Sequence, residues 1–380
     1  MARLGLAGLC AALVIAAGGC QHCGASGGTG ATPPTGSEAA SGAGAAPTLS
    51  AASAASAAPA DPASVSPGEE ADVSNGRGRS AIEELLKEAR RGGGREVAFV
   101  VPGEDEVKRH AALVAALARR GMGAQAPAAE VLAREVAGVG EKPLPGGEGG
   151  ALLGNGIEVR AVAGRHDLLA IVEAPDRRRG AGAILLRLGP ARPVLVEAPH
   201  TFYDGGTLPI AIAAFEGLRA RALLINTVHR YASIGHKAPA DEEMGGSDSD
   251  VAHAPSSHFL GAHEALLEVE PQLLTVQLHG FKDASAPGVD MVVSASRTKL
   301  KIGPVAEVLR THLAPAVVRA FPDEIDRLGG TTNAQAAVSR RRGAPFLHVE
   351  MSRALRDRLE KEASPLVEGL RACLPEGRAP

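Results

Sequence analysis

Pro193-Val194-Leu195-Val196-Glu197-Ala198 runs directly into Pro199-His200-Thr201-Phe202-Tyr203-Asp204-Gly205-Gly206-Thr207, and a helical period follows from Pro209 to Leu218. An unbroken apolar run, a polar turn with two glycines and a helix together make one strand–turn–helix unit. A strand that is apolar at successive positions, as at Val194-Leu195-Val196, fits a sheet covered on both faces. In sheets of that kind ligands gather beyond the strand ends. The stretch therefore predicts an α/β fold and marks where its chemistry is to be sought.

Working outward, similar Val, Ile and Leu runs recur at Glu96 to Val101, Ile157 to Val162, Leu168 to Glu173, Ala183 to Leu188, Ala222 to Asn226, Leu273 to Leu278, Met291 to Ser294 and Pro345 to Glu350. Helical periods lie between several of them, at Ile82 to Arg90, Val107 to Arg120, His258 to Val269, Val305 to Phe321 and Ala334 to Arg341. The alternation predicts a three-layer α/β sandwich, a central mostly parallel or mixed sheet flanked by helices, as one domain over residues 80–375. No heptad or fixed-period repeat interrupts it, and the Gly- and Pro-rich segment from Ala126 to Gly150 reads as irregular connection.

The amino-terminal region has a different character. Arg3 is the only early charge, a small and apolar stretch runs from Leu4 to Ala17, and Ala17-Gly18-Gly19-Cys20 closes it. That layout is a secretory signal whose apolar run is too short to span a bilayer, and residues 1–20 are expected to be a lipoprotein signal with the anchor on Cys20. From 21 to 79 the chain is dominated by Ala, Ser, Gly and Pro, which reads as a disordered tether. Cys23 and Cys373 are the other cysteines beyond the signal, so no disulfide framework is expected. With 40 basic against 43 acidic residues and 2% aromatics, no basic stripe laced with aromatics recommends a nucleic-acid partner. Arg177 to Arg179 and Arg340 to Arg342 read as solvated turns.

Several chemistry-bearing side chains fall at predicted strand ends. His200 and Asp204 share the turn after the first strand, and His279 ends the run Leu273 to Leu278, so an imidazole pair and a carboxylate are available as zinc ligands. Glu350 ends an otherwise apolar strand, where a carboxylate needs a reason; beside a metal ion it would serve as general base, with an ion pair to Arg353 or another arginine as the competing reading. Arg230, just after Ala222 to Asn226, offers a planar fork to a substrate carboxylate or a developing oxyanion, or a structural ion pair. Asp248, Asp250, His253, His258 and His263 are dense enough to invite a rival metal site. Their histidines are spaced by five, however, which suits a pocket wall better than one helical face.

Taken together, Pro199-His200 with Asp204 and Gly206-Thr207, the Asp250-Val251-Ala252-His253 segment, Gln277-Leu278-His279-Gly280, and Leu347-His348-Val349-Glu350-Met351-Ser352-Arg353 resemble the zinc-dependent amidohydrolase and carboxypeptidase superfamily. The likeness is to N-formylglutamate amidohydrolase-like proteins in particular and, more remotely, to poly-gamma-glutamate hydrolases. The resemblance implies zinc held by His200, Asp204 and His279, with Glu350 promoting water. Relatives commonly carry Glu where Asp204 stands, so Glu197 is a substitute for the second ligand. Their substrate-binding Asn-Arg pair has no clean counterpart, which leaves that role to Arg230.

The expected function is a zinc-dependent hydrolase that cleaves an amide in a peptide-like or N-acyl amino-acid substrate. The alternative is a non-catalytic envelope lipoprotein that uses the same scaffold to bind a ligand or partner. An address outside the cytoplasm, on a lipid anchor facing the periplasm or the cell surface, favours peptide-like or polymeric amides over intracellular catabolites.

Overall fold

The computed structural model describes residues 69–137, 142–143, 151–152, 156–174, 180–234 and 247–373. The expected signal, Cys20, Cys23, Arg177 to Arg179 and most of the expected tether lie outside them. In chain order the strands are β1 (Lys142–Pro143), β2 (Ala151–Leu152), β3 (Ile157–Val162), β4 (Arg165–Glu173), β5 (Ala183–Arg187), β6 (Arg192–Ala198), β7 (Ala220–Ile225), β8 (Leu274–Gly280), β9 (Met291–Ser294), β10 (Val318–Phe321) and β11 (Phe346–Met351). The helices are α1 (Glu69–Ala89), α2 (Glu104–Gly121), α3 (Ala129–Ala137), α4 (Thr207–Gly217), α5 (His258–Val269), α6 (Ile302–Leu313), α7 (Ala334–Arg342), α8 (Arg353–Lys361) and α9 (Ser364–Cys373). The first of these begins ahead of the boundary drawn at residue 80.

The strands form one sheet in the order β1-β2-β3-β4-β5-β7-β6-β8-β11-β9-β10. At its centre β7, β6, β8 and β11 run parallel, whereas β1 to β5 are antiparallel neighbours and β9 meets β11 antiparallel. The architecture is thus an α/β sandwich with a mixed sheet. Alternation along each strand divides the core in two. Val194, Val196, Leu274, Val276, Leu278, Leu347 and Val349 face one layer, where they pack with Ile82, Ile210, Leu309, Leu355 and Leu366 of α1, α4, α6, α8 and α9. Leu195, Leu224 and Leu273 face the other, with Val114, Leu132, Phe259 and Val338 of α2, α3, α5 and α7.

Local chemistry sets several helix ends. Ser257, Asn333 and Ser352 accept from the backbone N–H groups of Leu260, Ala336 and Leu355, which caps α5, α7 and α8. Glu104, Asp105 and Glu106 open α2 while Arg119 and Arg120 close it, in agreement with the helix dipole.

Four expectations need correction. Glu96 to Val101 is not a strand: Val100 and Val101 are 57% and 53% exposed, and the run stays outside the ladder. The helix expected from Val305 to Phe321 stops at Leu313, because Pro315 has no amide hydrogen and disfavours helical geometry at Ala314; the chain then turns into β10, parallel to β9. Within Ala126 to Gly150 lies α3, which buries Leu132, Ala133 and Val136. Arg341 and Arg342 are exposed as expected, but Arg340 to Arg342 form the last turn of α7 rather than a loop turn, and Arg340 donates to Ser296 O.

Candidate metal centre

Three neighbouring strands bring polar side chains to one face of the sheet. The α4-side core takes Val196, Leu278, Leu347 and Val349, so Glu197, Gln277, His279, His348 and Glu350 point the other way. Register aligns them in rows: Glu197 lies opposite Gln277, which lies opposite His348, and His279 lies opposite Glu350 one step further on. Beyond β6, His200 and Asp204 occupy a turn that closes onto α4, with Asp204 N donating to His200 O at 2.8 Å and Thr207 Oγ1 to Asp204 O at 2.7 Å. Gly206, the residue before α4, has φ +91, a backbone state that other L-residues rarely adopt.

His200, Asp204 and His279 converge and are all buried. The three facing atoms are 3.2 Å apart (His200 Nδ1 to His279 Nδ1), 3.4 Å (His200 Nδ1 to Asp204 Oδ2) and 3.6 Å (His279 Nδ1 to Asp204 Oδ2). A tetrahedral zinc ion with nitrogen and oxygen ligands at 2.0–2.1 Å places its ligand atoms about 3.3–3.4 Å apart. The trio has those dimensions. Asp204 is 2% exposed, and among the described residues its Oδ2 has no well-formed hydrogen bond.

The outer nitrogens of both rings are committed. His200 Nε2 meets Asp250 Oδ1 at 2.8 Å, and His279 Nε2 meets Gln277 Oε1 at 2.8 Å. Each is an N–H donor to an oxygen, which turns the Nδ1 lone pair inward, the arrangement that orients ligand histidines in metal sites. Electrostatics agree. Burial alone would lower His200, but Asp250 and Asp204 outweigh it and hold its pKa at about 8. Burial lowers His279 to about 4, helped by His200. Burial would raise Asp204, yet the two imidazoles pull it well below the usual carboxylate range. In the metal-free site these shifts favour a proton on His200 beside an ionised Asp204, and a cation that displaced that proton would find all three atoms free to ligate.

Glu350 stands at the floor of the same cleft, which encloses about 290 Å³. Burial and then Asp204 raise its pKa to about 8, and its Oε2 has no hydrogen-bond partner among the described residues. Its ion pair with Arg353 does not form; Arg353 pairs with Asp357 at 2.8 Å. His348 lies between, its ring 4.7 Å from that of His279 and 3.8 Å from Glu350 Oε1. Burial, with His279 next, lowers His348 well below the ordinary value. The loop before α7 closes the cleft through Gly330, Thr331 and Asn333, and Ser294 and Ser296 hold its Gly329 carbonyl at 2.8 and 3.1 Å.

Arg230 also reaches the cleft, where its guanidinium donates to Asp250 Oδ2 and sits 5.2 Å from the rings of both Tyr203 and Tyr231. Glu197, the substitute ligand, lies one row below the trio and accepts from His263 Nδ1 and Gln277 Nε2, each at 2.8 Å, so it is not among the converging atoms. The rival cluster divides. His253 lines the cleft and Asp250 stands behind it against His200, whereas His263 binds Glu197 and His258 packs 5.0 Å from His110. Among the described residues Cys373 has no disulfide partner, and its Sγ lies 3.7 Å from Val305 O. Sequence reasoning missed the roles of His348, Gln277 and Asn333. For His348 a signal was present, since it is two residues from Glu350 and so shares its face.

No family model matches the chain, and no curated protein matches it. Among solved structures, a gene product of Agrobacterium tumefaciens is similar at 14% identity and a TM-score of 0.35, over 48% of this chain and 87% of that one. N-formylglutamate amidohydrolase from Ralstonia eutropha is similar at 14% identity and 0.32, over 50% of this chain and 96% of that one. Succinylglutamate desuccinylase from Vibrio parahaemolyticus is similar at 13% identity and 0.32, over 61% of this chain and 68% of that one.

Proposed function

We propose that the protein is a zinc-dependent hydrolase of amide bonds in peptide-like or N-acyl amino-acid substrates, with His200, Asp204 and His279 as ligands. The observation that carries this reading is the buried trio, whose 3.2, 3.4 and 3.6 Å edges match a tetrahedral ion. When bound, the ion supplies Lewis acidity toward a carbonyl and toward water. Glu350, partly buried beside the trio, takes the proton of the attacking water and returns it to the leaving amine nitrogen, a role that its place within the same cleft supports. Asp250 holds His200 in its ligating tautomer and binds the Arg230 fork, which faces the cleft and steadies negative charge developing on the substrate. Export and attachment through a lipid on Cys20 complete the proposal and favour extracytoplasmic peptide or polymer amides.

Metal analysis of the purified chain tests it. The expected result is about one zinc per chain, lost in His200→Ala and His279→Ala. Glu350→Gln is expected to keep the metal while amide hydrolysis falls by at least roughly 100-fold. A wild-type chain that binds no zinc at micromolar metal would sink the proposal, and unchanged turnover in Glu350→Gln would remove Glu350 from it.

A further inference from the structure

Beneath the trio lies a buried polar network built on Gln277, which is 0% exposed and has all four hydrogen-bonding positions in use. Its Oε1 accepts from His279 Nε2 at 2.8 Å and from Asn333 Nδ2 at 2.6 Å. Its Nε2 donates to Glu197 Oε2 at 2.8 Å and to Gln335 Oε1 at 3.2 Å. An amide is nearly symmetric in shape, so packing alone does not decide which end holds oxygen. A reversed Gln277 would present N–H to His279 Nε2, move the imidazole proton to Nδ1 and close that atom to a cation.

Three neighbours forbid the reversal, each because its own polarity is fixed elsewhere. Glu197, as a carboxylate, only accepts, and its other oxygen already faces His263 Nδ1 at 2.8 Å. Asn333 caps α7 by accepting from Ala336 N at 2.9 Å through Oδ1, so its Nδ2 must face Gln277. Gln335 donates its Nε2 to Val251 O at 2.8 Å, so its Oε1 must face Gln277. We infer that Glu197, Asn333 and Gln335 lock the Gln277 amide in one orientation, and that this lock keeps His279 in the Nε2–H tautomer with Nδ1 open to a metal. Glu197, Gln277, Asn333 and Gln335 are positioning residues, and the α7 cap is part of the metal centre. The inference rests on the metal reading for its consequence but not for the tautomer itself.

Asn333→Asp is the discriminating variant. Asp is nearly the same size and caps a helix equally well, but it sets an acceptor against Gln277 Oε1. In the full chain, nitrogen NMR of labelled histidine in metal-free protein at neutral pH reads the tautomer, and competition with a chromophoric chelator reads the zinc Kd. Wild type should show His279 as Nε2–H. Asn333→Asp should show loss of that pure tautomer and zinc binding weaker by roughly 10–100-fold. Asn333→Ser, which caps but neither donates to nor opposes Gln277 in the same way, should fall between. A folded Asn333→Asp with unchanged tautomer and a Kd within about twofold of wild type overturns the inference. Should the Asp variant fail to fold, an Asn333→Ser with unaltered Kd does the same. A wild type that binds no zinc removes the metal reading and leaves the tautomer measurement to decide this one.

Discussion

Gly330→Ala puts the closure of the cleft to a quantitative test. Gly330 has φ +59, and a Cβ built there would lie 2.6 Å from His348 Cδ2 and 2.8 Å from its Cγ and Nε2. Those contacts are about 1 Å inside the 3.5–4.0 Å optimum for carbon pairs. His348 is 3% exposed on β11, a strand paired on both edges, with its ring against His279, so it has little room to yield. Left-handed backbone costs alanine about 1–2 kcal/mol, and overpacking a rigid neighbour adds about 1–3 kcal/mol. The sum, about 2–5 kcal/mol, corresponds to a Tm lower by about 5–15 °C in thermal unfolding followed by circular dichroism. Gly330→Asn tolerates the positive φ better but keeps the overlap, so its Tm should lie between. Because the displaced ring leans on His279, zinc affinity should fall in both. A Gly330→Ala chain that melts within about 2 °C of wild type and binds zinc as tightly would refute the claim that this loop is pressed against β11.

Two further predictions concern charge. A raised Glu350 pKa means the folded metal-free chain favours the protonated acid, so its stability is undiminished below the ordinary value of 4.5 and declines as pH rises from there toward 8. Glu350→Gln removes that decline; urea denaturation of metal-free protein should show the variant gaining on wild type between those pH values, by on the order of 3–5 kcal/mol, and a pH-independent difference would exclude the burial effect. Asp250→Asn takes the carboxylate from both His200 Nε2 and Arg230; chelator competition should report zinc binding weaker by roughly 10–100-fold, and an unchanged Kd would show that Asp250 does not orient His200.

Much of the sheet was legible because apolar runs and their bounding glycines and prolines are local signals. β3 and β9 match their expected spans, and β6, β8 and β11 match to within a residue or two. The errors arose where a local pattern had no partner or a weak one. Val97-Ala98-Phe99-Val100-Val101 has strand composition and half-buries Val97 and Phe99, but no strand pairs with it, and β10 is four residues next to a helix whose period concealed it. α8 carried a readable signature, with capping Ser352 and Leu355 and Leu359 four apart, but most of its other residues are charged. His200, Asp204, His279 and Glu350 could be singled out since each sits at or beyond a strand end. The network around Gln277 could not, because it depends on pairing between β6 and β8 and on where α7 begins, and neither is written in any one segment.

The two-faced strands β8 and β11 have a consequence for how such a gene can change. Insertion of a single residue early in β11 would turn His348 and Glu350 into the apolar layer and swing Leu347 and Val349 into the cleft, since alternate positions face opposite ways. Insertion of two would restore the faces but slide each side chain one row along β8, setting Glu350 off from His279. Length variation in these strands is therefore penalised by parity first and by row second, whereas substitutions at the apolar positions of the core layer need only preserve volume. Descendants of this sequence can drift in composition along β8 and β11 far more readily than in length.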